Sequence, residues 1–333
     1  MTRIAVVGTG AWGTALAVHA ASAGLEVSLL GRRPEVVERL ASTRRHPALV
    51  GAPAIPAEVD VTADPATAFA GAEAVLWSVS VQATAAELRR IASFLPKDAL
   101  LVGTSKGIEV GSGRRTTQIL EEGSGSSRGV AVLSGPTFAA EVARALPAAA
   151  VVASADGDVS RRLQELLSSP TFRLYRSDDV VGVEIAGAAK NVVAIAAGLV
   201  DGLHLGQNTR AALLTRALAE IRRLGTRLGG KPETFSGLAG VGDLILTATG
   251  DLSRNRRVGL ALATGKTLEE SLASLGGEVA EGVYTAGALV ELAKPLDVEI
   301  PIASAVVDIL SGRMAPRDSV RLLMTRSLKE ERA

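Results

Sequence analysis

Residues 3–13 read RIAVVGTGAWG: a short apolar, β-branched run, then Gly8, Gly10 and Gly13 in GxGxxG spacing, with TALAVHAAS following as a stretch of strong helix formers. Strand, turn and helix in that order give each glycine a task. Gly8 permits the tight turn, Gly10 lets backbone approach a pyrophosphate, and Gly13 lets helix and strand pack closely. The free N–H groups and positive dipole end of the helix then suit a phosphate. A GxGxxG alone also describes a glycine-rich loop that binds nothing. Its position here, between a first strand and a helix and ahead of Gly24 and a second strand, selects dinucleotide binding.

The second strand, Glu26–Leu30, points to which dinucleotide. A site selective for NAD usually ends this strand on an acid that takes the ribose hydroxyls. Here Leu30-Gly31-Arg32-Arg33 ends it on a glycine and two guanidiniums, and Glu26 lies at the other end. Guanidiniums match a phosphate in bidentate geometry, which predicts NADPH in preference to NADH. The alternative is a solvated charge pair opening a helix at Pro34. Arg44 and Arg45 read as solvated helix residues.

Outward from this unit, β-branched runs alternate with helical patterns. Strands are predicted at Val75–Val79, Ala99–Gly103, Val130–Ser134, Ala149–Ala153 and Phe172–Tyr175. Such alternation implies a doubly wound, mostly parallel sheet of Rossmann type in an α/β domain. After Ser177, Asp178 and Asp179, which offer N-caps, only helical spacing remains: Val180–Val200, Thr209–Leu228, Arg254–Leu262, Gly282–Lys294, Ala303–Leu310 and Pro316–Thr325. The expected domains are 1–178 and an all-helical 179–333. Gly123–Ser127 reads as a short loop.

Composition narrows the partners. The 333 residues balance 36 Lys+Arg against 35 Asp+Glu, and aromatics are 3%, so neither a basic excess nor stacking rings favour nucleic acid. The absence of cysteine excludes disulfides, thiolate metal sites and cysteine nucleophiles. His19, His46 and His204 lack ligand spacing, so no metal is expected. The glycines in Ile4–Gly24 argue against a signal peptide, and Glu184, Lys190 and Asn191 interrupt the most apolar internal stretch, so no membrane span and a cytoplasmic location are expected.

Several residues carry candidate chemistry. Lys106 in Thr104-Ser105-Lys106-Gly107 follows a strand at the carboxyl edge of the sheet, where open α/β folds bind ligands; it also reads as an ordinary loop lysine. Lys190 falls in GAAKNVV, inside a helix of small and aliphatic residues. Burial lowers a lysine pKa and suits it to proton exchange near neutrality. Snorkelling, or pairing with Glu184, is the structural alternative. Ser134-Gly135-Pro136-Thr137 ends a strand with N–H groups and a hydroxyl for an anion. Gly240-Val241-Gly242-Asp243 sets a carboxylate in an apolar, glycine-rich stretch. Ser253-Arg254-Asn255-Arg256-Arg257 carries the donors of a phosphate clamp, and equally those of a helix start capped by Ser253.

Taken together, GTGAWGTALA, SKGIE, SGPTFAAEVA, DDVVGVEIAGAAKNVVAIAAGLVDGL, NTRAALLTRALAE, PETFSGLAGVGDLILTATGDLSRNRRVG and VAEGVYTA make the chain resemble the bacterial-type NAD(P)-dependent glycerol-3-phosphate dehydrogenases over nearly its whole length. The resemblance implies a helical second domain like that of 6-phosphogluconate dehydrogenase. It implies reversible reduction of dihydroxyacetone phosphate to sn-glycerol 3-phosphate by NADPH or NADH, feeding glycerophospholipid synthesis, in a homodimer. By the same resemblance Lys190 is the proton donor and acceptor, and Lys106 touches cofactor and substrate. Gly135, Thr137, Asp243, Ser253, Arg254 and Asn255 hold the substrate. Gly8, Gly10, Ala11, Trp12, Gly13, Arg32, Arg33, Ala139, Arg254, Val279 and Glu281 line the cofactor. Ala11 stands where the family usually has serine, which removes one hydroxyl and leaves the backbone donors. The competing readings are a β-hydroxyacid-type dehydrogenase on the same plan and a silent dinucleotide-binding sensor. Asp243 and the SRNRR cluster favour a phosphate ester over a carboxylate.

Overall fold

The structure, a computed structural model, describes residues 2–124, 129–328, 330 and 331. The chain forms two compact units: residues 1–105 with 115–180, and residues 106–114 with 181–333.

In the first unit, β1 (Arg3–Val7), β2 (Glu26–Leu30), β3 (Asp60–Thr62), β4 (Ala74–Trp77), β5 (Leu100–Gly103), β6 (Val130–Ser134), β7 (Ala148–Ala153) and β8 (Phe172–Ser177) form one sheet in the order 3-2-1-4-5-6-7-8. All pairs are parallel except β6 with β7. The connecting helices are α1 (Ala11–Ser22), α2 (Pro34–Thr43), α3 (Pro65–Phe69), α4 (Val81–Ile91), α5 (Thr116–Ser124), α6 (Ala139–Ala143) and α7 (Gly157–Leu167). β1 explains why its sequence is a continuous apolar run. Ile4 and Val6 enter one core with Leu16 and Leu163, while Ala5 and Val7 enter another with Phe69 and Leu88. Successive side chains face opposite sides of a strand, so a strand covered on both faces cannot alternate polar and apolar residues.

The doubly wound sheet agrees with the sequence expectation, with local differences. β3 has no counterpart in the sequence reading: its three residues are too few to show a period, and only their register on Ser28, Leu29 and Leu30 makes them a strand. β4 closes at Trp77, ahead of the expected Val79. Gly123 and Ser124, read as loop, belong to α5, where a Cβ on Gly123 would stand 2.6 Å from Leu88 Cδ2; residues 125–127 lie outside the described residues. Arg44 is not a solvated helix residue. It caps α2 in the left-handed region, and its guanidinium donates to Val59 O at 2.7 Å.

The second unit contains α8 (Val180–Gly202), α9 (Gly206–Arg227), α10 (Asp243–Thr249), α11 (Arg254–Ala263), α12 (Leu268–Ala273), α13 (Glu281–Ala293), α14 (Pro301–Leu310) and α15 (Pro316–Met324). The short α10 and α12 were not among the expected helices, although Thr267 and Glu270 form a capping box at the start of α12. The division at residue 178 needs one correction. Residues 106–114, expected in the first domain, belong to the helical unit, because Ile108 is buried in its core.

Among the described residues one helix, α8, is long and apolar enough to cross a membrane. The expectation that its polar residues disqualify it therefore fails on composition. Burial accounts for its character instead: 89% of its most apolar window lies inside the protein. Ile185, Val192, Ile195 and Leu199 join the core of the helical unit.

Candidate active site

Two glycines set the frame of the site in the helical unit. A Cβ on Gly198 of α8 would lie 2.1 Å from Arg256 O, and one on Gly259 of α11 would lie 2.0 Å from Ile195 O. The two helices therefore cross with their backbones in contact, which no larger residue permits. Near the crossing, Asn255 Nδ2 donates to Asn191 Oδ1 at 3.0 Å. Asn191 Nδ2 in turn donates to Lys106 O at 2.9 Å. Asn255 Oδ1 accepts from the backbone N–H of Gly282, in the first turn of α13, at 3.0 Å. This chain of amides ties the 106–114 segment, α8, α11 and α13 together.

Asp243, the first residue of α10, bridges two lysines. Lys106 Nζ donates to its Oδ2 at 2.6 Å and Lys190 Nζ to its Oδ1 at 2.9 Å. Lys190 Nζ also donates to Thr247 Oγ1 at 2.6 Å, and that hydroxyl donates to Asp243 Oδ1 at 3.2 Å. Lys190 is 6% exposed and Asp243 1%. Burial pulls the Lys190 ammonium down to about 8; Asp243 opposes the fall, while the positive charges of Lys106 and Arg254 add to it. For Asp243, burial pushes upward, yet the charges and hydrogen bonds of Lys106 and Lys190 overcome it and hold the carboxyl below its ordinary range. Two ammoniums thus share one carboxylate, one of them poised close to neutrality.

This geometry decides between several readings. Lys190 does not snorkel or pair with Glu184; its partners are Asp243 and Thr247. Lys106 is not a free loop lysine. Ser253 caps α11 by accepting from Arg256 N–H at 3.2 Å, so the helix-start reading of that cluster holds. Its guanidiniums differ in what they touch: Arg256 pairs with Asp201 and Asp251, and Arg257 with Glu278. Arg254 has no ion pair among the described residues. Val279 and Glu281 flank the N-cap of α13, next to the Gly282 N–H held by Asn255. Thr247 and Asn191 are the residues that sequence reasoning missed. Thr247 lies one helical turn after Asp243, a spacing that puts both on one face, and Asn191 adjoins Lys190.

The first unit holds the other predicted residues. Gly8 has φ +112°, and a Cβ there would lie 2.7 Å from Ser78 O; a Cβ on Gly13 would lie 2.0 Å from Gly8 O. Gly10 is exposed, with nothing within 4 Å of where its Cβ would stand, and no side chain caps α1. An open approach to an uncapped helix N-terminus is the donor set a pyrophosphate needs. Ala11, Trp12 and Ala139 pack around a small cluster of Ala15, Leu49, Ala52 and Ala143. Gly31 explains the missing acid: a Cβ there would meet Val37 Cγ2 at 2.5 Å and Thr9 Cγ2 at 2.7 Å. Arg32 and Arg33 are exposed, and Arg33 approaches Glu35 at 3.9 Å. Gly135 passes so close to β7 that a Cβ would lie 2.8 Å from Ala150 Cα, and Thr137 Oγ1 donates to Gly135 O at 3.1 Å. His19 is structural: its Nε2 bonds to Leu167 O at 2.8 Å and its ring meets Phe172 edge-on.

A doubly wound sheet opening on a GxGxxG turn, carried in one chain with a helical unit that buries an ammonium on a carboxylate, defines a two-unit dinucleotide-dependent oxidoreductase. The patterns of the NAD-dependent glycerol-3-phosphate dehydrogenase N-terminus and C-terminus match residues 3–160 and 179–321. Glycerol-3-phosphate dehydrogenase (NAD(P)+) of Aromatoleum aromaticum is 49% identical, over 99% of this chain and all of its own length. That of Corynebacterium kroppenstedtii is 45% identical over the same shares. The crystal structure of the Coxiella burnetii glycerol-3-phosphate dehydrogenase matches with a TM-score of 0.92 at 37% identity, covering 98% of this chain and 99% of that one. The chain belongs to the NAD-dependent glycerol-3-phosphate dehydrogenase family.

Proposed function

We propose that the chain reversibly reduces dihydroxyacetone phosphate to sn-glycerol 3-phosphate with NADPH or NADH, NADPH being preferred, and supplies glycerophospholipid synthesis. The observation that carries the chemistry is the buried Lys190 ammonium, held by Asp243 and Thr247 and brought down to about 8. Reducing a ketone develops alkoxide charge on oxygen; an ammonium there stabilises that charge and delivers the proton. In the reverse direction the neutral amine takes the proton back. Asp243 keeps enough of Lys190 charged at neutral pH, and Lys106 assists in holding substrate and cofactor.

Arg254, which lacks an anionic partner among the described residues, takes the phosphate together with Asn255 and Ser253. Asn255 has one amide N–H beyond that given to Asn191, and Ser253 keeps its hydroxyl hydrogen while its oxygen caps α11. Gly135 and Thr137 contribute further contacts to the substrate. The dinucleotide, when bound, supplies the hydride. Gly8, Gly10, Ala11, Trp12 and Gly13 hold its pyrophosphate end, Arg32 and Arg33 its ribose phosphate, and Ala139, Arg254, Val279 and Glu281 line it further. We place the enzyme in the cytoplasm as a homodimer, which family resemblance supports.

The test mixes purified chain, NADPH and dihydroxyacetone phosphate and follows nicotinamide absorbance. Turnover is expected, and Lys190→Ala is expected to cut it by about 10²–10⁴-fold while NADPH still binds. Near-normal activity in that variant removes the role of Lys190. Cofactor binding without turnover in the unaltered chain replaces the dehydrogenase with a sensor.

A further inference from the structure

The first turn of α11 carries three guanidiniums, those of Arg254, Arg256 and Arg257. A helix N-terminus is the positive end of its dipole and disfavours cations. Asp201 stands in the last turn of α8, where the negative end disfavours a carboxylate. Pairing offsets both misplacements. Arg256 Nε donates to Asp201 Oδ2 at 2.9 Å, and its Nη2 lies 2.7 Å from the same oxygen. Arg210 of α9 reaches the two oxygens of Asp201 at 3.2 and 3.3 Å. The Asp201 and Arg256 side chains are only 16% and 12% exposed, so salt screens this pair less than a surface pair.

The pair lies where α8 and α11 cross. Gly198, one turn before Asp201 and on the same face of α8, receives the carbonyl oxygen of Arg256. Arg256 is therefore gripped at both ends, its backbone against Gly198 and its guanidinium on Asp201. At about 100° per residue, Arg254 projects roughly 200° away from Arg256, on the opposite side of α11. Its positive charge is felt at Lys190. One side of the turn thus faces the lysine cluster while the other is fixed to α8. We propose that Asp201 is a positioning residue for phosphate recognition: by holding Arg256 at the back of α11, it fixes the rotation of the first turn that aims Arg254 at the substrate phosphate. This rests on the reading above, in which Arg254 takes that phosphate. Asp201 and Glu278 neutralise Arg256 and Arg257, which leaves Arg254 as the guanidinium of this turn that meets a dianion.

Two variants of the full chain test this, Asp201→Asn and Arg256→Lys. The second keeps every charge and loses the planar set of donors, so it stands as the test if the first does not fold. The readouts are kcat and KM for dihydroxyacetone phosphate at saturating NADPH, and calorimetric binding of sn-glycerol 3-phosphate, which needs no turnover. Each variant is expected to raise KM and weaken sn-glycerol 3-phosphate by about tenfold, with kcat held within about twofold. The double variant is expected to be no worse than the worse single one, because both changes break one contact. Losing a negative charge would by itself tighten an anion, so a lower KM in Asp201→Asn overturns the proposal. An unchanged KM in Arg256→Lys, or a fall in kcat with KM unchanged, overturns it as well. Turnover in the unaltered chain with KM unmoved in both variants leaves the dehydrogenase standing and removes the role of Asp201. Absence of turnover, with sn-glycerol 3-phosphate bound and then weakened by both variants, removes the reaction and keeps that role.

Discussion

Asp243→Asn isolates the electrostatics of the lysine cluster with almost no change in shape. The carboxylate lies 2.9 Å from Lys190 Nζ and 2.6 Å from Lys106 Nζ. An ion pair at about 4 Å between charge centres is worth about 4 kcal/mol at an effective dielectric constant near 20. At 1.36 kcal/mol per pH unit, that loss carries the Lys190 ammonium about three pH units below its value of about 8. The mutual repulsion of Lys190 and Lys106, no longer offset, acts in the same direction. Ketone reduction needs the protonated lysine, so its rate falls as pH rises through the ammonium's pKa. The unaltered enzyme is expected to lose kcat/KM for reduction above about pH 8. In Asp243→Asn this limb moves to acid pH, and reduction at neutrality drops by roughly 10²-fold while partly recovering on acidification. The assay is a pH profile of kcat/KM with dihydroxyacetone phosphate and saturating NADPH. A limb that stays near pH 8 in the variant refutes the claim that this carboxylate sustains the charge on Lys190.

Replacing Arg32 and Arg33 together by Ala is expected to weaken NADPH by at least roughly tenfold and NADH little, as judged by fluorescence titration of both; equal losses remove phosphate recognition from this pair. Glu220 of α9 is buried, and its carboxylate accepts from Ile302 N–H at the start of α14. Burial pushes it up to about 7 from an ordinary 4.5, against the pull of the Ile302 and Ala303 N–H groups. A carboxyl raised in the folded state binds its proton more readily there, so its contribution is complete below the unfolded value and lost as pH rises from about 4.5 to about 7. Urea unfolding at pH 5 and pH 8 should show Glu220→Gln escaping roughly 3 kcal/mol of that loss, and parallel losses in both proteins would contradict the assignment. Gly198→Ala forces a methyl against Arg256 O. It should cost at least about 1–3 kcal/mol in denaturant unfolding, and an unchanged midpoint would mean the helices can part freely.

Much of the first unit is legible from residues near one another in sequence. The GxGxxG turn and β1 announce themselves because a strand buried on both faces must be apolar throughout and a phosphate turn must lack side chains. β3 is illegible for the opposite reason: three residues carry no period, and pairing with β2 supplies all their order. Lys190 could be singled out because an ammonium in an aliphatic helix costs free energy unless something compensates it. What compensates it could not be read. Asp243 stands 53 residues away and Lys106 another 84, in a segment whose sequence neighbours belong to the other unit.

The fold class, the nucleotide turn, the family and the importance of Lys190 are thus all legible in the order of residues along the chain. These follow from local steric and burial demands that each residue type either meets or fails. It is the packing of remote segments that makes Lys106 and Lys190 share Asp243, adds Thr247 and Asn191 to the cluster, and leaves Arg254, alone of the three guanidiniums, without an anionic partner among the described residues. Those are matters of distance between chain-remote charges. Coulomb energy and hydrogen bonding depend on separation in space, which packing at Gly198 and Gly259 sets and no local pattern encodes.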